Sequence, residues 1–215
     1  MGLDDRTVPN LAADSPILES LAGESKEFLK KLLDLHVELR GYFKARHARN
    51  LPLTEEVTNR WERARFLGFG EGASIYDSAL VFGDVKVGAG TWIGPNCILD
   101  GSGGLHIGST CSVASGCHIY SHDTVEWALS GGKSPYQRRP TTIGNACYLG
   151  PHSIITAGAA IGDHCLVGAL SLVKGDVPAH AIVVGIPAKV VGRVHIGPNA
   201  EIHLLYDKPK NREAA

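Results

Sequence analysis

Histidine and cysteine are the residue types in this chain best suited to proton transfer or metal binding, and the sequence has ten His and five Cys. A neutral imidazole can act as a general base near pH 7, and cysteine thiolates can bind zinc or form disulfides. One histidine, His122, lies where a regular repeat is interrupted, whereas the other nine lie on predicted helices, on regular repeat positions or beyond the last repeat. We therefore take His122 as the first candidate for chemistry.

The repeat that positions these residues has a period of six. An aliphatic residue recurs from Ile75 to Val173 and is often followed by glycine. The fourteen aliphatic positions are Ile75, Val81, Val87, Ile93, Leu99, Ile107, Val113, Ile119, Ile143, Leu149, Ile155, Ile161, Val167 and Val173. Short hexapeptide repeats are typical of a parallel β-helix, in which three hexapeptides make one triangular coil and residues eighteen apart stack. The expected fold is mainly β, a β-helix of nearly five coils with an N-terminal α-helical extension.

The cysteines share one phase of this repeat. Each lies two residues before an aliphatic position, and the other occupants of that slot are mostly small or β-branched. The five are Cys97, Cys111, Cys117, Cys147 and Cys165. Free cysteine behaves as a small apolar residue in such places, and the sequence has no CxxC pair. The pattern therefore predicts buried thiols and argues against a zinc site or disulfides.

The six-residue register is interrupted twice. The first interruption adds two residues and predicts a small bulge at 101–104. The second adds about eighteen residues between Ile119 and Ile143 and predicts a protruding loop over 124–142. Long loops in compact domains are usually functional. His122 stands at the start of this loop, which also carries Trp127.

The periodicity divides the chain into three parts. Residues 1–70 are predicted to form a helical extension, 71–194 the β-helix, and 195–215 a C-terminal segment and tail. The extension is predicted to contain one helix over about 16–48 and a second over about 54–67. An apolar seam with heptad-like spacing on the first helix fits either packing on its own domain or assembly of an oligomer; we favour packing.

Composition excludes several classes of partner. The formal net charge is −1, which gives no basic excess for a nucleic-acid partner. No apolar stretch approaches the length of about 20 residues that spans a bilayer. The first residues are acidic and lack the apolar segment of a secretory signal. We therefore expect a cytoplasmic protein without membrane contact.

The stretch from Trp92 to Val194 resembles the hexapeptide-repeat acyltransferases of the xenobiotic, galactoside and maltose acetyltransferase type. The matching segments are LDGSGGLHIG (99–108), CHIYSHDTVEWALSGG (117–132), TIGNACYLGPHSII (142–155), GDHCLVGALSLV (162–173) and GIPAKVVGRV (185–194). The resemblance is strongest to members that acetylate sugars, including nucleotide-linked amino sugars. It implies a left-handed β-helix and a homotrimer with active sites between subunits. The implied activity is direct transfer of acetyl from acetyl-CoA to a hydroxyl or amino group of a sugar or nucleotide-linked sugar.

The same resemblance implies roles for single residues. His122 matches the histidine at the start of the protruding loop, which acts as general base and returns the proton to the CoA sulfur. Asn96, Asp100 and Tyr148 match acceptor-side positions, and Trp127 is a further acceptor-side candidate. The implied cofactor-side residues are Ala169, Lys174, Lys189 and Arg193. No metal is expected.

Two other functions stay open. A γ-carbonic-anhydrase-like zinc enzyme needs three converging histidines around an open metal position. His118 and His122 are four residues apart on a coil of period six, so they should face different ways. A non-catalytic trimeric scaffold could use the N-terminal helix as its contact surface. The identity of the acceptor, and whether O or N is acetylated, also stay open.

Overall fold

A computed structural model of the chain describes residues 16–207. Its helices are α1 (Pro16–Ser20), α2 (Gly23–His47), α3 (Leu53–Val57), α4 (Arg60–Phe66) and α5 (Val125–Leu129). Each of the two helices predicted for the extension is therefore divided in two. The second division has a clear cause, because the Asn59 side chain accepts hydrogen bonds from the backbone N–H groups of Trp61 and Glu62 and so begins α4. The tails before residue 16 and after 207 lie outside the described residues.

The strands are mostly two residues long and stack in parallel. They are β1 (Ser74–Ile75), β2 (Leu80–Val87), β3 (Trp92–Ile93), β4 (Ile98–Ile107), β5 (Ser112–Val113), β6 (His118–Ile119), β7 (His122–Asp123), β8 (Gln137–Arg138), β9 (Thr141–Ile143), β10 (Tyr148–Leu149), β11 (Ile154–Ile155), β12 (Ala160–Ile161), β13 (Leu166–Val167), β14 (Leu172–Val173), β15 (Ala181–Gly185), β16 (Ala188–Ile196) and β17 (Ile202–Tyr206). One sheet has the order β1-β3-β5-β10-β13-β15-β16-β17. A second has the order β12-β9-β4-β6-β11-β14 with β2 on β4, and β7 pairs with β8.

These strands form a left-handed parallel β-helix of about six turns, which confirms the predicted fold class. The interior is aliphatic: thirteen of the fourteen predicted positions are buried, and Val81 packs against them while partly exposed. Each inward residue pairs with one eighteen positions away where the repeat is regular, as Leu149 does with Val167. Stacked coils satisfy one another's backbone groups, so the narrow core needs no long strands.

The five cysteines are buried free thiols, as predicted. Each sulfur lies 3.0–3.1 Å from the carbonyl oxygen of a residue on the next coil, and Cys165 reaches Pro178 in this way. Thr91 occupies the same slot, and its hydroxyl donates to the Gly108 carbonyl oxygen at 2.7 Å. The hydrogen bond with the Cys117 thiol, together with burial, raises the pKa of Cys97. These cysteines therefore serve as small hydrogen-bonding residues of the core.

The chain divides into two compact units, of which the first ends at Val57 and the second begins at Thr58. Within the second unit, α4 lies on the first coil, and Arg63 donates to the carbonyl oxygens of Tyr76 and Ala79. In the first unit, α2 has no buried residue, and seam residues such as Phe28 remain exposed. Whether the seam packs internally or joins an oligomer stays a prediction. Among residues 16–207, none of the helices has the length and apolar character needed to cross a membrane.

Candidate active site

Both interruptions of the repeat lie at the same edge of the prism. Between Leu99 and Ile107 the chain does not turn sharply but continues as the single ten-residue strand β4. The bulge in this strand touches the start of the protruding loop, because the Gly103 N–H donates to Ser121 Oγ at 2.8 Å. The Arg139 N–H, at the end of the loop, donates to the Ser121 carbonyl oxygen at 2.8 Å. The two features that seemed separate in the sequence therefore form one structure around Ser121.

This structure holds a buried aspartate against His122. Asp100 is only 2% exposed, and its Oδ2 accepts a hydrogen bond from His122 Nδ1. The backbone N–H of Ser102 donates to Asp100 Oδ1 at 2.9 Å, and that of Ser121 to Oδ2 at 3.3 Å. Burial alone would raise the pKa of Asp100. The hydrogen bonds from Ser102, His122 and Ser121 outweigh it and hold the pKa below the ordinary value.

The pair leaves one imidazole nitrogen available for chemistry. An ionised carboxylate can only accept hydrogen bonds, so the neutral imidazole must carry its proton on Nδ1. Its Nε2 then has a free lone pair. The His122 side chain is about one third exposed, so this nitrogen can meet a substrate. A histidine oriented by a buried carboxylate is suited to act as a general base.

His122 opens into a cleft of about 850 Å³. Tyr120, Thr156 and Lys174 line one wall, and each directly follows an inward aliphatic residue on successive coils. Asp123 and Arg139, at the two ends of the protruding loop, also line the cleft. The cleft therefore runs along the prism edge from His122 towards the C-terminal coils.

The protruding loop is a closed structure rather than an open excursion. Strands β7 and β8 pair antiparallel and bring its two ends together. Arg139 forms an ion pair with Asp123, and its side chain also lies beside Gly158. At the tip, the rings of Trp127 and Tyr136 meet edge to face with centroids 5.5 Å apart. These contacts fix the loop to the edge that carries His122.

Two of the predicted site residues join His122 here. Lys174 lies in the same cleft, and its cofactor-side role stays a prediction. Asp100 is also present, with its carboxylate buried behind the imidazole. We propose that it positions His122, and its acceptor-side role stays a prediction.

The other predicted residues do not line this cleft. Asn96 and Ala169 lie in turns at a different edge of the prism, and Tyr148 lies on the outward side of β10. Trp127 lies at the loop tip, and Lys189 and Arg193 lie on β16. Their roles in binding stay predictions. Tyr148 and Trp127 are 44% and 41% exposed, so both remain accessible to a partner or ligand.

Several cleft residues were not singled out from the sequence. Thr156 could have been found, because it follows an inward aliphatic residue at the same phase as Tyr120 and Lys174. Arg139 and Gly158 offered no such signal, since their contact depends on how the loop returns. Among residues 16–207, no three or more His, Cys, Asp or Glu side chains are grouped so that they could hold a metal ion. The zinc-enzyme alternative therefore gains no support from the geometry.

Comparison with known proteins agrees with this architecture. Residues 140–175 match the family described as bacterial transferase hexapeptide (six repeats). Galactoside O-acetyltransferase of Escherichia coli (strain K12) is 26% identical over 51% of this chain and 64% of its own length. The carnitine operon protein CaiE of Salmonella agona (strain SL483) is 33% identical over 57% of this chain and 65% of its own length. The chain thus spans slightly less than two thirds of these curated relatives.

A solved structure shares the fold. A point mutant of AntD, an N-acyltransferase from Bacillus cereus, in complex with dTDP and coenzyme A, superposes with a TM-score of 0.53. It is 21% identical, and the superposition covers 63% of this chain and 89% of AntD. At this identity the likeness concerns the fold alone. Taken together, the hexapeptide period, the stacked coils, the family match over residues 140–175 and these relatives support the resemblance to the hexapeptide-repeat acyltransferases.

Proposed function

We propose that this protein is an acetyl-CoA-dependent acetyltransferase that acts on a hydroxyl or amino group of a sugar or nucleotide-linked sugar. The observation that carries the proposal is the Asp100–His122 pair at the mouth of the cleft, at the one edge where the repeat is interrupted. The names of galactoside O-acetyltransferase and AntD support acyl transfer and a carbohydrate or nucleotide ligand. The name of CaiE indicates no acceptor.

In this mechanism His122 removes a proton from the acceptor. The Asp100 carboxylate holds Nδ1–H, so Nε2 takes the proton as the acceptor oxygen or nitrogen attacks the thioester carbonyl. Asp100 then stabilises the imidazolium, and His122 returns the proton to the sulfur that leaves. Acetyl-CoA supplies the activated acyl group. Acetyl passes directly to the acceptor, with no acylated residue on this chain.

The cleft has the size and charge to receive an acyl-CoA. Its volume of about 850 Å³ falls in the range usual for small-molecule sites. Lys174 is exposed at its far wall and can meet an anionic group. We keep Ala169, Lys189 and Arg193 as further cofactor-side residues, and Asn96, Trp127 and Tyr148 as acceptor-side residues.

We further propose a homotrimer with the sites between subunits. Exposed apolar residues flank one edge of the prism, with Tyr148 and Ile154 on the two adjoining faces and Leu170 between them. This arrangement fits a contact with a second copy. Residues proposed for the acceptor but distant from His122 in one chain would then approach the cleft of a neighbour. A cytoplasmic location stays a prediction.

The test is CoA release from acetyl-CoA in the presence of a panel of sugars and nucleotide sugars, followed with a thiol reagent. His122→Ala should reduce kcat at least a thousandfold, because the general base is lost. His164→Ala, which changes a histidine at the regular edge away from the cleft, is the matched control and should retain activity. Both variants should keep the oligomeric state of the wild type.

Retained turnover in His122→Ala would contradict the assignment of the base. Failure of the folded wild type to bind CoA by calorimetry would favour the scaffold alternative. Stoichiometric zinc with carbonic anhydrase activity would favour the zinc enzyme.

A further inference from the structure

A second cavity lies in the first compact unit, beside the C-terminal half of α2. Its volume is about 780 Å³, and it shares no lining residue with the cleft of His122. Residues 48–50, which follow the helix, form part of the lining. The helix contributes residues three or four positions apart, which share one face; they are Val37, Arg40, Gly41 and Lys44. We call this cavity the basic groove.

The basic groove forms because the chain turns at the end of α2. Ala48 has a φ of 51°, in the left-handed region in which many helices end. The N–H groups of Ala48 and Arg49 donate to the carbonyl oxygens of Lys44 and Phe43 at 3.2 and 3.3 Å. This turn places Arg49 in the same lining as Arg40 and Lys44.

Three cations and no acid line the basic groove. Arg40, Lys44 and Arg49 are exposed, and within residues 16–207 none of the three forms an ion pair. Arg40 and Lys44 are four positions apart, where like charges destabilise a helix. The helix dipole favours a cation in the last turn, such as Lys44, but its effect does not extend to Arg40. The fold therefore leaves this concentration of positive charge unexplained, whereas an anion in the groove would offset it.

Gly41 keeps the basic groove open at the helix backbone. Glycine is unfavourable in the interior of a helix. A Cβ added at Gly41 would meet no atom of the described residues within 4 Å, so no close contact among them requires a glycine. The absent side chain instead leaves space in which a ligand can approach the backbone of α2.

We propose that the basic groove binds a soluble compound with two linked phosphate groups, free or attached to a nucleoside. Such a group carries a charge of about −3 near pH 7, which matches three cations. Arginine binds phosphate oxygens through two parallel N–H bonds, and lysine binds them as a point charge. The volume falls in the range usual for small-molecule sites. A nucleic acid is less suited, because the chain as a whole has a net charge of −1.

The experiment is titration calorimetry of the full chain with pyrophosphate as the probe. Pyrophosphate should bind saturably, more tightly than inorganic phosphate and more weakly as salt is raised. Arg40→Gln and Arg49→Gln should each weaken its binding about tenfold, the scale of a charge-assisted hydrogen bond. Gly41→Leu should also weaken binding, because the new side chain would occupy the groove. Thermal unfolding should show no loss of stability in Gly41→Leu, since leucine favours a helix.

Two variants are matched controls for charge alone. Arg46→Gln removes a cation from the same end of α2, where the guanidinium lies 5.9 Å from the centroid of the Tyr42 ring and does not line the groove. Lys174→Ala removes the cation of the His122 cleft. Both variants should bind pyrophosphate as the wild type does.

Several results would overturn this inference. The first three are no saturable binding of pyrophosphate, equal affinity for inorganic phosphate, and equal weakening by Arg46→Gln. Weaker binding in Lys174→Ala would place the probe in the His122 cleft instead. Binding to vesicles of anionic lipid or to duplex DNA, without binding of pyrophosphate, would identify a surface for a polyanion. Each of these outcomes leaves the proposed acetyltransferase function intact, since the two cavities share no lining residue.

Discussion

Two edges of the same prism turn the chain in different ways. At the regular edge that carries Ala146, His164 and His180, each of these residues has a positive φ between 53° and 61°. Their backbone N–H groups donate at 2.8 Å to carbonyl oxygens of the preceding coil. At the edge that carries His122, buried side chains replace this pattern. Ser121 Oγ donates to the Asp100 carbonyl oxygen at 2.6 Å, and Thr141 Oγ1 donates to that of Tyr120 at 2.7 Å.

The difference shows how a repetitive fold accommodates chemistry. The regular edge depends on backbone geometry that each coil repeats, together with small buried residues such as Cys147 and turn residues such as Asn145. The interrupted edge depends on particular side chains, since Asp100, Ser121 and Thr141 are all buried and hydrogen-bonded. Substitutions in regular coils should therefore affect stability, and substitutions at the interrupted edge should affect activity.

The largest expected effect is on stability in a regular coil. Ile155 is fully buried, so Ile155→Ala should lower the free energy of unfolding by about 3 kcal/mol through lost burial and a cavity. Tyr136→Ala on the half-exposed loop tip should cost less than about 1 kcal/mol. Urea denaturation of both variants measures the contrast. Equal losses would show that the loop is as much a part of the folding unit as the coils.

The next effect is on activity at the interrupted edge. Asp100→Asn should lower kcat about a hundredfold, because an amide can donate to Nδ1 and favour the wrong imidazole tautomer. The stability of the Asp100→Asn variant should also depend on pH differently from that of the wild type. The folded-state pKa of Asp100 is below the ordinary 3.8. The ionised carboxylate therefore stabilises the fold fully above pH 3.8, and this contribution is lost as the pH falls from 3.8 through the lower folded-state pKa. The difference in unfolding free energy between wild type and Asp100→Asn should narrow below about pH 4. A constant difference from pH 6 to pH 3, with kcat unchanged, would contradict the positioning role.

The smallest expected effect is a difference in stability between two glycine variants, one at a regular edge and one in the cleft. A Cβ on Gly150 would lie 2.5 Å from the backbone nitrogen of Ala169, so Gly150→Ala should destabilise by about 2 kcal/mol through overpacking. Gly175, in the cleft, has φ +85° and nothing within 4 Å of an added Cβ. Gly175→Ala should cost only about 1 kcal/mol of backbone strain. Thermal unfolding distinguishes them, and a reversed order would show that the cleft edge is packed more tightly than the regular coils.

The sequence predicted the features that depend on a residue's position within the six-residue repeat. The period of six identifies the inward residues, the buried thiols and the place of both interruptions, because every regular coil repeats the same contacts. Lys174 was implied by the resemblance alone, as a cofactor-side residue. The break between α3 and α4 was missed, since a helical pattern continues through Asn59 and only the cap reveals the boundary.

The contact between Asp100 and His122 could not be predicted from the position of Asp100 in the six-residue repeat alone. Its partner is twenty-two residues away on a loop, and the contact exists because the bulge at 101–104 bends under the loop departure. For the same reason the ion pair of Arg139 with Asp123 was not foreseen. The two interrupting segments do not follow the six-residue period, so their contacts depend on the path that each segment takes. Prediction from the sequence therefore weakens where the chemistry begins.

The protruding loop also has a consequence for how the molecule folds. In regular coils the paired residues are eighteen apart, as Leu149 and Val167 are, but across the loop Leu149 and Val113 are thirty-six apart. Doubling a closing segment costs roughly 0.6 kcal/mol of chain entropy. Coils can form independently on either side of this point and then join. We expect the joining step to be the slowest in assembly of the solenoid, so that catalytic competence emerges only after most of the secondary structure has formed.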